Sequence, residues 1–294
     1  MVRAPYISRL RRIGDMSPES ATLLALLVGW SLFYLVGKSL RLQERGWDLS
    51  PYYALYKSTS LNRAIEGLAS LAPGGWRPLG NVGVAASLGQ AGFITLLLLR
   101  NLWNFFYTPE KATPVQPLIP GVTVRVNSLP WFLLAAGLVI LTHELGHGIM
   151  CRAEGVRVRS AAILLAVVTF GGAVEPEEED LRAATPWSRM RIYAVGSLVN
   201  LLTGLATVVA LIVVGGSLPP VLRVFCNWLY FVSINLALMN MLPIGPLDGG
   251  QMWREFTARY QAGSQLQKSA TYAFTGLIVL NILLSLNKFG LVSI

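Results

Sequence analysis

Residues Trp131–Met150 read WFLLAAGLVILTHELGHGIM. At 1.5 Å of rise per residue, twenty helical residues span about 30 Å, the thickness of a bilayer's hydrocarbon core. The polar residues of this stretch crowd its last third: Thr142, His143, Glu144 and His147. A charged side chain in such a place costs roughly 2.5 kcal/mol or more unless it has a partner or a task. The stretch therefore reads as a membrane helix with chemistry built into one end.

Five further apolar stretches are long enough to cross: Ala21–Gly37, Val82–Leu99, Ile192–Gly215, Val224–Leu242 and Ala270–Leu286. Basic residues flank them, with Arg9, Arg11 and Arg12 before the first, Lys38 after it, and Arg189 and Arg191 before the fourth of the six. Such residues anchor helix ends in the headgroup region. Only 13% of the residues are charged, about half the usual share of a soluble domain. The expectation is an all-α polytopic membrane protein of about six transmembrane helices, with 1–294 forming a single integral membrane domain. Residues 38–81 are expected to be an extramembrane loop. The net charge of +9 is scattered between the apolar stretches rather than gathered on one face. Its partner is expected to be anionic lipid, not nucleic acid.

Residues Val156–Val174 break the pattern. Val156, Arg157, Val158 and Arg159 alternate with period two, and the apolar part, Ala161–Val174, holds only fourteen residues and a Gly171–Gly172 pair. This segment is expected to be strand-like or re-entrant, which at membrane depth requires protein or a wet cavity around it. If all six stretches cross, the loops 38–82, 152–191 and 254–268 share a side and carry 15 of the 24 Lys and Arg residues. That excess marks a cytoplasmic side, and it puts the arginine-rich N-terminus on the other. A re-entrant Val82–Leu99, interrupted by Gly83, Gly89 and Gln90, would remove that conflict.

His143 and His147 are the chain's only histidines. Four residues apart, they share one helix face. With Glu144 they form the H-E-x-x-H pattern, in which two neutral imidazoles bind a zinc ion and the carboxylate takes a proton from water. The alternative for an intramembrane histidine, a bond to a neighbouring helix, does not call for a second histidine one turn away. A catalytic zinc needs a third protein ligand. With no histidine left, the candidates are Asp248, in the Pro- and Gly-rich turn Asn240–Gly250, then Glu175, then Cys226. The two cysteines make no disulfide framework.

The pairing of His143-Glu144-Leu145-Gly146-His147 with Asn240, Pro243, Asp248 and Gly249 resembles the site-2 protease family of intramembrane zinc proteases. Gly196 and Asn200 resemble that family's Gly-x-x-x-Asn segment. The likeness spans 120–254, taken as the protease core, and is closer to the animal-type branch. The resemblance implies one zinc per chain on His143, His147 and Asp248, with Glu144 as catalytic base. It also implies that Asn200 and Asn240 bind substrate or stabilise the oxyanion. Many relatives carry a PDZ insert of some ninety residues; only 25 residues separate Pro243 from Lys268, too few for one.

The implied function is hydrolysis of peptide bonds within or near transmembrane segments of protein substrates. Two rivals stand beside it. A prenyl-protein processing enzyme shares H-E-x-x-H but takes glutamate as its third ligand, and a membrane zinc carrier would need ligands stepping along a path.

Overall fold

A computed structural model describes residues 18–58, 61–166 and 169–293; Arg9, Arg11 and Arg12 lie outside the described residues. Six of its helices are long and apolar enough to cross a membrane. They are α1 (Pro18–Ser39), α3 (Trp76–Tyr107), α4 (Leu129–Ala153), α6 (Pro186–Val214), α7 (Pro220–Met239) and α9 (Gly263–Phe289). Three shorter ones, α2 (Leu61–Leu71), α5 (Glu178–Ala183) and α8 (Asp248–Thr257), lie between them. The chain is a multi-pass membrane protein.

Local chemistry sets the helix ends. Thr185 caps α6 by accepting from the Ser188 N–H at 3.1 Å, and Pro186 takes the first turn, where no donor is needed. Helix α4 is followed by Gly155, whose φ of +82° suits a residue without Cβ. There the Val156 N–H donates to the Cys151 carbonyl at 2.8 Å and the Gly155 N–H to Arg152 at 3.1 Å. Val156 and Cys151 then pack in one buried cluster with Met150, Ile192 and Val195.

The 32-residue α3 runs unbroken through Gly83, Gly89 and Gln90, so this segment is not re-entrant. Two of those residues serve helix packing instead. Gly83 faces Ala194 and Leu198 of α6, and the buried Gln90 amide donates to the Ser197 carbonyl at 3.3 Å. Small and polar residues at helix contacts are how membrane helices associate.

The segment after α4 folds as a hairpin of β3 (Val158–Ala166) and β4 (Thr169–Pro176). It joins two strands from the loop after α1, β1 (Trp47–Leu49) and β2 (Tyr53–Ser58), in an antiparallel sheet of order β1-β2-β3-β4. Residues 38–81 thus hold two strands and α2, a structure finer than the loop that the sequence suggests. β1 is only three residues long, too short for period two to stand out.

The sheet also fixes the relation between loops. Tyr53 pairs with Ala166 and Ser58 with Ala161, so the segments after α1 and α4 lie on one side. Six crossings require that arrangement, and the excess of basic residues lies on the same side. Cysteines placed at exposed Tyr52 and Arg182 are expected to react with an impermeant thiol reagent from one face of sealed vesicles. One at exposed Ser217, between α6 and α7, should react only from the other. Labelling of all three from the same face would refute the six-crossing arrangement.

Candidate metal centre

The site lies where α4, α6 and the turn from α7 into α8 meet. On α4, His143 and His147 bring their Nε2 atoms to 3.1 Å. The close approach of α6 depends on Gly196: a Cβ there would lie 2.4 Å from His147 Nε2 and 2.7 Å from His143 Cε1. No other residue leaves room for the two imidazoles.

Asp248 arrives from the opposite direction. α7 stops at Met239, Pro243 prevents its continuation, and the turn folds back so that the Gly249 N–H donates to the Asn240 carbonyl at 2.8 Å. A Cβ on Gly249 would sit 2.3 Å from the Met241 carbonyl group, and one on Gly250 2.0 Å from the Ile244 oxygen. The glycine pair is thus needed for the turn that aims Asp248. Its Oδ2 lies 3.2 Å from His143 Nε2 and 3.3 Å from His147 Nε2.

These three atoms form a triangle with edges of 3.1–3.3 Å. A tetrahedral zinc with bonds of about 2.0–2.1 Å spaces its ligand atoms by about 3.3 Å. Two imidazole nitrogens and a carboxylate oxygen are also the donor types zinc takes in open, catalytic sites. No other group of three convergent His, Cys, Asp or Glu donors occurs among the described residues. The site fits zinc in both chemistry and spacing.

Polar neighbours orient the donors. His147 Nδ1 donates to the Ile192 carbonyl at 2.7 Å, which leaves Nε2 with its lone pair toward the centre. The Asn240 amide donates to Asp248 Oδ2 at 2.9 Å and lies 3.0 Å from His143 Nε2. Asn200 is fully buried, with its amide 3.0 Å from His143 Nδ1. Glu144 stands apart from the triangle, and its Oε2 accepts the Val174 N–H of β4 at 2.9 Å.

Glu144, both histidines, Asn240 and Asp248 line one cavity of about 290 Å³, walled on one side by Gly172, Ala173 and Val174 of β4. Tyr193 and Gln251 also line a larger polar cavity of about 660 Å³, with Arg182, Arg189, Arg254 and Glu255 around it. The Arg189–Glu255 ion pair, at 2.7 Å, ties α6 to α8 beside it. An apolar cleft of about 490 Å³ behind the Asp248 turn is lined by no ionisable residue.

The other ligand candidates lie elsewhere. Glu175 is engaged across the sheet by Lys57 of β2 and by Ser160 of β3, whose hydroxyl donates at 2.6 Å. Cys226 sits in the first half of α7 and is not among the convergent donors.

The sequence profile of peptidase family M50 matches residues 131–222 and 217–284, just over half of the chain and all of the residues around the centre. The chain belongs to peptidase family M50. Among M50 relatives, Rip3 of Mycobacterium tuberculosis, named as a zinc metalloprotease, is 30% identical over 213 residues. So is sll0528 of Synechocystis, similarly named, over 189 residues. A site-2 protease homolog of Arabidopsis thaliana is 23% identical over 203 residues. These matches take in 69%, 63% and 69% of this chain, and 51%, 46% and 38% of the three relatives. The chain thus spans about half the length of the curated relatives it matches, or less. Between the motif turn and α9 it has only α8 and a short connection, with no room for a PDZ insert there.

The side chains of this candidate centre are legible in the sequence, but the backbone groups around them are not. The Ile192 carbonyl and the Val174 N–H belong to residues that read as ordinary apolar positions. In the sequence Gly196 stands only as part of the Gly-x-x-x-Asn segment. Its spacing of four from Asn200 puts both on the α6 face that meets α4, which was the available signal for its steric role.

Proposed function

We propose that this chain is an intramembrane zinc metalloendopeptidase that cuts protein substrates within or beside their transmembrane segments. The observation that carries this reading is the convergence of His143, His147 and Asp248 on one point, with Glu144 lining the same cavity. His143, His147 and Asp248 would hold the ion. Zinc, when bound, supplies a Lewis acid and makes water acidic enough to ionise near neutral pH.

The chain's own groups do the rest. Glu144 accepts a proton from the attacking water and returns it to the leaving amide nitrogen. The Val174 N–H holds that carboxylate in place from β4. Asn240, whose side chain lines the cavity, would donate an amide N–H to the substrate carbonyl as negative charge develops on it.

A helical substrate hides its peptide carbonyls in its own hydrogen bonds, so it must be drawn out before cleavage. β4 is the last strand of the sheet, and its outer edge forms a wall of the cavity. An extended substrate strand pairing along that edge would bring its backbone past Glu144. The biological result would be release of a fragment tethered to the membrane.

The test uses the purified full chain with a panel of single-span substrates in proteoliposomes. Cleavage is expected, is lost on chelation and returns with added zinc. Cutting that survives complete removal of metal would refute the reading. A zinc carrier would instead move the ion across sealed vesicles without cutting anything; the single convergent donor group among the described residues argues for an enzyme.

A further inference from the structure

The two histidines of the centre are oriented differently, and the difference concerns Asn200. His147 has its Nδ1 proton accepted by a backbone carbonyl, that of Ile192 at 2.7 Å. His143 faces the centre through Nε2 in the same way, with Asp248 Oδ2 at 3.2 Å. A neutral imidazole whose Nε2 offers its lone pair carries its proton on Nδ1, and that proton needs an acceptor. The group facing His143 Nδ1 is the Asn200 Nδ2, at 3.0 Å. Two donors then confront one another. At the same time Asn200 Oδ1 is buried with no hydrogen-bond partner among the described residues, an arrangement that costs about 1–3 kcal/mol.

Turning the Asn200 amide by 180° exchanges its oxygen and nitrogen in nearly the same volume. Oδ1 then meets the His143 N–H, which removes the facing donors and gives the buried oxygen a partner. We propose that Asn200 works in this turned orientation, as an acceptor that fixes the tautomer and ring plane of His143. This rests on the zinc-peptidase reading but changes the role that the resemblance implies for Asn200. It becomes a positioning residue behind a ligand, not a donor to substrate or oxyanion. Its place agrees: Asn200 is fully buried behind the imidazole and does not line the cavity, whereas Asn240 does.

The roles predict opposite results for Asn200→Asp. A carboxylate accepts from His143 Nδ1 at least as well as an amide oxygen, but it cannot donate. The readouts are zinc affinity of the purified full chain, by competition with a chelator, and cleavage at saturating zinc. Asn200→Asp is expected to hold zinc within a few-fold of the parent and to keep cutting. Asn200→Ala is expected to bind zinc about 10–100-fold more weakly, the usual cost of losing a group that orients a ligand. Thermal unfolding of the metal-free proteins separates loss of fold from loss of metal. Should the alanine variant not fold, Asn200→Asp still decides. Tight zinc with cleavage abolished in that variant would restore the donor role and overturn this proposal. So would a folded Asn200→Asp that loses zinc, or an Asn200→Ala that keeps it fully. A parent chain that binds no zinc at all would instead fail the metal reading itself, and this inference with it.

Discussion

Replacing Glu144 by glutamine is expected to reduce cleavage by about 10²–10⁴-fold, the usual contribution of a positioned general base, while zinc stays at one per chain. Glutamine is nearly the same size and retains an oxygen that can accept the Val174 N–H, which Glu144 Oε2 now takes at 2.9 Å. The contact with β4 therefore survives, and what is lost is the capacity to take a proton. Glu144 is also outside the donor triangle, so its neutralisation leaves the ion's ligands untouched. Metal analysis and a cleavage assay on one preparation check both halves. A glutamine variant that cuts at the parent rate would remove Glu144 from the mechanism. One that loses zinc would make it a ligand.

The second large effect falls on Asp248. It is the one member of the triangle not carried by α4, and its Oδ2 lies within 3.3 Å of both imidazole nitrogens. Asp248→Ala leaves two nitrogens from a single helix and removes a direct bond to the ion. Zinc affinity should therefore fall by more than the 10–100-fold expected for Asn200→Ala. Asp248→Asn should fall as well, since a neutral amide oxygen is a poorer zinc ligand than a carboxylate. Glu175→Ala is the informative partner. Its carboxylate is spent on Lys57 and Ser160 within the sheet, so its loss should weaken the hairpin and leave zinc at one per chain. The reverse ranking, with Asp248→Ala retaining tight zinc, would exclude Asp248 from the centre.

These expectations divide by how far apart the partners lie in sequence. The crossing helices were legible because a bilayer requires about twenty apolar residues in a row, and that is a local property. His143, Glu144 and His147 were legible for a similar reason, since one helical turn brings them together. The glycine pair beside Asp248 signalled close backbone approach before any contact was known. The strands β1 and β2 were not legible. They are short, and their stability comes from β3, a hundred residues further along the chain. Gly83, Gly89 and Gln90 left open whether their segment crosses or re-enters, because a helix interrupted in composition need not be interrupted in space.

The sequence by itself determined that the protein lives in a membrane, and that one helix offers two imidazoles and a carboxylate at its end. Hydrophobic runs and helical periodicity are short-range, so they survive without any knowledge of neighbours. Only the tertiary structure shows that Asp248, and not Glu175, converges with the two histidines, and which asparagine faces the cavity and which backs a histidine. Those choices turn on atoms within about 3 Å of each other, contributed by residues 45 to 105 positions apart. No pattern along the chain encodes such distances. They follow from the packing of α4 on α6 through Gly196, and from the turn that carries Asp248 back to the histidines.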